Sequence, residues 1–376
     1  MNKKIKVTTI LGTRPELIRL ACILEKMEMV FEHRIVHTGQ NSDPMLSQVF
    51  LDELSIPKIH NYLSIQSSSL GEFCGQLFIG LEKELTDYRP DAVLILGDTN
   101  SALGGIIAKR LGIPVYHLEA GNRSFDSNVP EEINRKIVDH FADYNLAYTQ
   151  HAKANLIREG LESKFITVIG SPLQEVLNKY KPGIENSKVL EEMNLVPSGY
   201  FLVSAHRQEN VDNENRLNEL MNSLSELSQR YEIPVVVSTH PRTREKIGKL
   251  NVILDQNLIF HRPFGFSDYI KLQLNARAVL SDSGSVSEEA AILGFPAVTI
   301  RDSMERPEAL ESGNIIMSGL SVSGILSALD ILDQMPSSKS VPDDYLVPDT
   351  STRVVKYIAS TIYSHSFRNG LRDRSP

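Results

Sequence analysis

The chain has 376 residues, 41% hydrophobic and 23% charged, and its 39 Lys+Arg against 47 Asp+Glu give a formal net charge of −8. That composition excludes a disordered, collagenous or mucin-like chain. The mild acidity argues against a general nucleic-acid binder but leaves local arginines free to hold a small anion. The length suits two or three domains. Cys22 and Cys74 stand far apart without CxxC spacing, so neither a disulfide framework nor a zinc cluster is expected. No apolar run approaches the ~18 residues of a membrane helix. The basic start Lys3-Lys4-Ile5-Lys6 precedes too short an apolar stretch for a signal peptide. A cytoplasmic location, with no membrane and no nucleic-acid partner, is expected.

In chain order, β-rich runs occur at Ile5–Leu11, Arg34–His37, Val93–Leu96, Val115–Leu118, Leu146–Tyr148 and Ile166–Val168. They resume at Tyr200–Ser204, Val235–Ser238, Leu258–His261, Ala278–Ser281, Ala297–Ile300 and Ile315–Met317. Runs such as Ala92-Val-Leu-Ile-Leu96 are apolar on both faces, as strands between two helix layers are. Strand and helix alternate, which predicts parallel sheets covered on both sides. The pattern runs twice, so the expected α/β fold has two Rossmann-like lobes, with the active-site cleft between them and ligands at the carboxyl ends of the strands. The expected lobes are 1–172, with a C-terminal helix in about 352–376 packing back on it, and 173–351. The stretch Lys181-Pro-Gly-Ile-Glu-Asn-Ser187 reads as the turn-rich link, and Ser364–Pro376 as a fraying tail. No GxGxxG follows the first strand and no GxxxxGK[ST] occurs, which argues against NAD and P-loop nucleotide binding.

Five motifs stand at predicted strand ends. In Gly12-Thr-Arg-Pro-Glu16 the glycine permits a tight exit, Pro15 suits a first helical turn, and Arg14 beside a helix N-terminus can meet a phosphate. The plainer reading is a capped turn with a solvated arginine. Gly97-Asp-Thr-Asn100 carries Asp98 past the end of a buried strand, although Asp and Thr also cap helices well. His117-Leu-Glu-Ala-Gly-Asn-Arg123 carries Glu119 in the same way. Pro130-Glu-Glu-Ile-Asn-Arg135 opens a helix running through His140, where Glu131 and Glu132 could equally answer the helix dipole. Asp98, Glu119 and Glu131 would thus come from one lobe, and carboxylates sharing a crevice push one another's pKa upward, as acid–base work requires. Ser204-Ala-His-Arg-Gln-Glu-Asn210 would bring His206 and Arg207 to the cleft from the other lobe as anion contacts. Ser238-Thr-His-Pro-Arg242 is a weaker, structural echo. Ser281-Asp-Ser-Gly-Ser-Val-Ser-Glu-Glu289, ahead of a helix at Ala290–Leu293, offers the backbone N–H groups of Ser283, Gly284 and Ser285 to a phosphate. Glu289 could accept ribose hydroxyls, and the plainer reading is an ordinary capped helix. Arg301-Asp-Ser-Met-Glu-Arg-Pro-Glu308 adds Arg306.

These motifs, in this order across 12–308, closely resemble the non-hydrolysing UDP-N-acetylglucosamine 2-epimerase family, whose fold is the two-lobed glycosyltransferase-B type. The stretch Gly121–His140, Pro263-Phe-Gly-Phe-Ser-Asp-Tyr269 and the segment Ser204–Asn210 resemble the branch that converts UDP-2-acetamido-2,6-dideoxy-L-talose to UDP-N-acetyl-L-fucosamine for capsule or O-antigen. The nearest alternative is UDP-N-acetylglucosamine/UDP-N-acetylmannosamine epimerisation, followed by a glycosyltransferase of the same fold. The resemblance implies a UDP-2-acetamido sugar as substrate, no cofactor or metal, and a homodimer. It implies anti elimination of UDP to a 2-acetamidoglycal and re-addition, with Asp98, Glu119, Glu131 and His206 as the catalytic set. Arg14, His206 and the Ser283–Ser285 turn would hold the departing pyrophosphate, with Arg19, Arg207 and Arg306 lining the site. Arg135 would orient the Glu131 side, and Phe266 and Glu289 would hold uracil and ribose. Arg19 stands where the family usually has Lys, and an arginine keeps its proton too tightly to donate it. Ser283-Gly-Ser285 replaces the commoner SGG. The segment Thr38-Gly-Gln-Asn-Ser-Asp-Pro44 departs from epimerases with a second, activating UDP-sugar site, so no such site is expected.

Overall fold

The structure, a computed structural model, describes residues 4–40, 44–239, 241–249, 255–335 and 340–369. It divides into two compact units. The first comprises Met1–Arg123, Val129–Val176 and Val347–Pro376, and the second Ser124–Asn128 and Leu177–Leu346.

The first unit is built on seven parallel strands: β1 Lys6–Leu11, β2 Glu32–His37, β3 Asn61–Tyr62, β4 Ala92–Leu96, β5 Val115–Leu118, β6 Tyr144–Ala147 and β7 Ile166–Val168, in the order β3-β2-β1-β4-β5-β6-β7. Order therefore reverses between β1 and β4, the place where α/β sheets open a crevice for ligands. The helix Arg14–Val30 forms because apolar residues recur at 17, 20, 21, 24 and 27. Thr13 and Glu16 close a capping box at its start, with Pro15 in the first turn. On the opposite face of the sheet, Phe73, Leu77, Leu81 and Leu85 of the helix Leu70–Tyr88 pack with Ile10, Val36, Val93 and Ile95. The helix Thr350–Thr361 lies against Arg14–Val30. It is fixed by Lys26 Nζ to Thr352 Oγ1 at 2.5 Å, Ser351 N–H to Glu175 at 2.8 Å and the Tyr116–Thr361 hydroxyl pair at 2.8 Å.

The second unit carries β8 Phe201–Ser204, β9 Val235–Ser238, β10 Leu258–His261, β11 Ala278–Ser281, β12 Ala297–Thr299 and β13 Ile316–Met317, ordered β10-β9-β8-β11-β12-β13 and again all parallel. The order reverses between β8 and β11. One face buries Leu217, Leu220, Met221, Leu224 and Leu227 of the helix Glu214–Tyr231. The other buries Leu272, Val286 and Ala290 beneath Leu202 and Val236.

Three readings are corrected, and one strand was missed. Lys181–Asn186 is not a link but the end of the helix Leu173–Asn186, with Pro182 inside it. Proline removes one ladder hydrogen bond, yet Leu173, Val176, Leu177 and Ile184 are buried at helical spacing and hold the helix. The helix after β11 starts at Ser285 rather than Ala290, so Glu288 and Glu289 ride on it. Ser364–Asn369 is not frayed: it carries the short helix His365–Arg368 beyond a 3-10 turn, and residues 370–376 lie outside the described residues. The two-residue β3 has no apolar run to announce it.

Candidate active site

The motifs of the first unit stand at its strand-order reversal. A Cβ on Gly12 would lie 2.1 Å from Thr38 Oγ1 and 2.3 Å from Ser101 Oγ, so the exit of β1 requires glycine. Glu16 is buried, and its carboxylate accepts Gly12 N–H at 2.9 Å, Thr13 N–H at 2.7 Å and Thr13 Oγ1 at 2.8 Å, while its second oxygen accepts Thr99 Oγ1 at 3.0 Å. One carboxylate thereby ties the exit of β1 to that of β4. Burial pushes the Glu16 carboxyl up, against the pull of these hydrogen bonds. Arg14, half-buried, lies 5.8 Å from the ring of Phe50. Of the segment Thr38–Pro44, residues 41–43 lie outside the described residues.

Asp98 and Glu119 leave the paired strands β4 and β5, in which Leu96 and Leu118 are register partners. Both exits turn through the left-handed region, at Gly97 (φ +69°) and at Glu119 itself (φ +63°). For a non-glycine residue that conformation costs on the order of 1–2 kcal/mol and persists only where surroundings impose it. Arg135 Nη2 contacts the Asp98 carboxylate, and its Nη1 donates to the Asn122 carbonyl at 3.3 Å. Asn134 Nδ2 holds the Asp98 carbonyl at 3.0 Å. Glu119 is buried with Arg19 Nε 3.5 Å from its carboxylate, and the Arg19 guanidinium lies 5.7 Å from the Tyr148 ring. Glu131 is exposed on the first turn of the helix Pro130–Phe141, whereas its neighbour Glu132 is buried and pairs with Lys136 at 3.4 Å. Asp98 and Glu119 are thus each set against a guanidinium, an arrangement able to carry a carboxylate through a proton transfer while keeping its orientation.

In the second unit the turning point is Asp282, fully buried after β11. Its carboxylate accepts the N–H of His206 at 3.0 Å, the N–H of Arg207 at 3.0 Å and Asn210 Nδ2 at 3.1 Å, which folds the chain after β8. His206 is left half exposed, with Nδ1 3.4 Å from Asp282. Ser283, Gly284 and Ser285 lead into the helix Ser285–Leu293, and a Cβ on Gly284 would lie 2.3 Å from Arg306 Nη1 and 2.5 Å from Glu305 Oε1. Three guanidinium groups converge on Glu305: Arg207 at 3.1 Å, Arg301 at 2.5 Å and Arg306 at 3.6 Å. Arg306 also pairs with Glu288 at 2.6 Å. Burial, together with Arg207 and Arg306, pushes the Arg301 guanidinium down from its ordinary value, while Glu305 opposes them. A glycine-containing turn, a helix N-terminus and clustered arginines together suit a pyrophosphate. Glu289 accepts Gln273 Nε2 at 2.6 Å. Phe266 is buried, its ring edge-on to Tyr180 at 6.0 Å.

Asp282, Glu305 and Glu16 escaped the sequence reading. Asp282 works wholly, and Glu16 and Glu305 partly, through groups remote in sequence; the Thr13–Glu16 spacing of a capping box and the place of Asp282 ahead of Ser283 were the available signals. Among the described residues, no group of three His, Cys, Asp or Glu is arranged to hold a metal, and no helix is long and apolar enough to cross a membrane.

Two parallel α/β units with charged motifs at both strand-order reversals define an enzyme of the glycosyltransferase-B type. A lipopolysaccharide outer core galactosyltransferase shares that fold, and the fold alone, at TM-score 0.50 and 14% identity over 97% of this chain and 100% of that one. The pattern of the family described as UDP-N-acetylglucosamine 2-epimerase matches residues 24–359, and the chain belongs to this family of epimerases. It is similar to a solved UDP-N-acetylglucosamine 2-epimerase from Rickettsia bellii, at 40% identity and TM-score 0.91 over 96% of this chain and 98% of that one. The Methanocaldococcus jannaschii enzyme, solved in complex with UDP-GlcNAc and UDP, is similar at 36% identity and TM-score 0.89, covering 95% and 100%. A UDP-2,3-diacetamido-2,3-dideoxy-D-glucuronate 2-epimerase of Pseudomonas aeruginosa is 33% identical over 362 residues, 94% of this chain and 99% of its own.

Proposed function

We propose that the chain inverts C2 of a UDP-2-acetamido sugar, and that its substrate is UDP-2-acetamido-2,6-dideoxy-L-talose, giving UDP-N-acetyl-L-fucosamine for capsule or O-antigen. The observation that carries the reading is the pairing of Asp98 with Arg135 and Glu119 with Arg19 at adjacent strand exits. Binding a nucleotide sugar needs no such acids. Turning over C2 needs them, because no carbonyl acidifies that C–H bond.

In the proposed reaction one carboxylate of Asp98, Glu119 and Glu131 takes the C2 proton. The C–H electron pair forms the C1–C2 double bond, and the C1–O bond breaks with its electrons going to UDP. A carboxylic acid then returns a proton to the opposite face of C2 as a β-phosphate oxygen rebonds to C1. Charge grows on the pyrophosphate as it leaves, so donors fixed beforehand lower the barrier. Arg14, His206, Arg207, Arg306 and the turn Ser283-Gly284-Ser285 are assigned that work. Arg19 and Arg135 orient their carboxylates, Glu289 takes the ribose and Phe266 borders the uracil. A homodimer in the cytoplasm completes the reading.

A second reading, UDP-N-acetylglucosamine/UDP-N-acetylmannosamine epimerisation, is favoured by the names of the Rickettsia and Methanocaldococcus relatives. Proton NMR in heavy water with each UDP-sugar separates the two. Deuterium at C2 and a new anomeric signal are expected with the L-talose substrate. The same signals with UDP-N-acetylglucosamine alone would move the assignment to the second reading. Exchange with none would sink both.

A further inference from the structure

One buried group takes no part in the chemistry above. His117 stands on β5, two residues before Glu119, and its side chain has no exposure. Its Nε2 lies 2.8 Å from the carbonyl oxygen of Gly97, the residue before Asp98. Its Nδ1 lies 2.9 Å from Asp139 Oδ1, which is equally buried. Asp139 sits on the helix Pro130–Phe141, whose first turn bears Glu131 and whose second bears Arg135. The same carboxylate lies 2.7 Å from Arg123 Nη2 and accepts the Gly121 N–H at 3.2 Å. Arg123 is held in turn by Glu159 at 2.6 Å. Burial pushes the Asp139 carboxyl up, but His117 and Arg123 outweigh burial and hold it below the usual aspartate range.

The cluster therefore touches the residue before Asp98, the residue two after Glu119 and the helix carrying Glu131 and Arg135. Gly97, Glu119 and Gly121 all hold positive φ, at +69°, +63° and +85°; glycine takes that conformation freely, so Glu119 is the turn that its surroundings must impose. A fold needing only bulk here would do as well with apolar side chains, since replacing buried ion pairs by apolar residues is often neutral or stabilising.

We infer that His117 and Asp139 are positioning residues for the epimerisation: together they clasp the exits of β4 and β5 and so present Asp98 and Glu119 in one fixed geometry. The inference rests on the proposed reaction. It is tested with His117→Gln and Asp139→Asn, assayed for C2 deuterium exchange and normalised to folded protein by UDP-binding stoichiometry. Misplacing a catalytic group by about 1 Å costs on the order of 100-fold. The expected result is a kcat lower by about 100-fold with KM within about threefold. Folded variants with kcat within about threefold of wild type, or a loss confined to KM, would overturn it, because a structural role removes folded molecules and not turnover per molecule. Should neither variant fold, nitrogen-15 NMR of the wild-type chain decides. A hydrogen on His117 Nε2, with a coupling across to the Gly97 carbonyl, supports the clasp, and a bare Nε2 refutes it. A wild-type chain that exchanges C2 of no UDP-sugar defeats the functional reading instead, and the same spectrum still decides the clasp.

Discussion

At the scale of single residues, Glu119 is held in a left-handed backbone, buried beside Arg19. Glu119→Gln preserves the shape and removes the acid. C2 exchange is expected to fall by about 100-fold or more, within the range general acid–base groups contribute, and undiminished exchange would remove Glu119 from the acid–base set. His37 makes a different prediction, about stability. It is buried at the end of β2, its ring 5.4 Å from that of Tyr62, and its Nδ1 accepts the Gly39 N–H at 3.1 Å. Burial lowers its pKa from 6.5 to about 4. The folded chain thus refuses a proton that the unfolded chain takes up. Stability present above pH 6.5 should be lost as pH falls toward 4, by up to about 3 kcal/mol. Urea midpoints across that range should show the slope, and His37→Gln should flatten it. These single-residue roles were partly legible: acids after apolar runs point to strand exits. Asp139, Asp282 and Glu305 were not, because an isolated acidic residue carries no sign that it will bind backbone or guanidinium groups 18 to 98 residues away.

At the scale of elements, the glycines separate fold from function. Gly121 has φ +85°, and a Cβ there would lie 2.3 Å from the Ala152 carbonyl oxygen. Gly121→Ala combines left-handed strain with an overpacked backbone contact and should lose on the order of 2–4 kcal/mol in denaturant unfolding. Gly284→Ala meets only side-chain tips, Arg306 Nη1 and Glu305 Oε1. Its unfolding midpoint should move little, while UDP binding measured by calorimetry weakens by about tenfold or more, the loss of one charge-assisted contact. Equal stability losses in the two variants would contradict this division. Twelve of the thirteen strands among the described residues were visible as apolar runs because strands between two helix layers bury both faces. The thirteenth, Asn61–Tyr62, is too short to show a period. The Pro-Gly pair at 182–183 read as a turn because the burial of Ile184, which outweighs it, is settled by packing and not by local preference.

At the scale of the whole molecule, each unit has its own sheet and core, yet the chain returns to the first unit after completing the second. The helix Thr350–Thr361 belongs to the first unit through Lys26, Glu175 and Tyr116. Deleting residues 348–376 should therefore raise amide exchange in β1, β5 and the helix Arg14–Val30 while leaving β8 and β11 protected. Uniform loss of protection would show that the units do not hold their own stability. The central claim is that C2 inverts through departure and return of UDP. Its most direct measurement is positional isotope exchange with oxygen-18 in the C1–O–P bridge, followed by phosphorus NMR during turnover in heavy water. Migration of the label to non-bridging β-phosphate positions, in step with deuterium entering C2, is the predicted result. Deuterium at C2 with the label still in the bridge would show that the C1–O bond never breaks, and the account would fail.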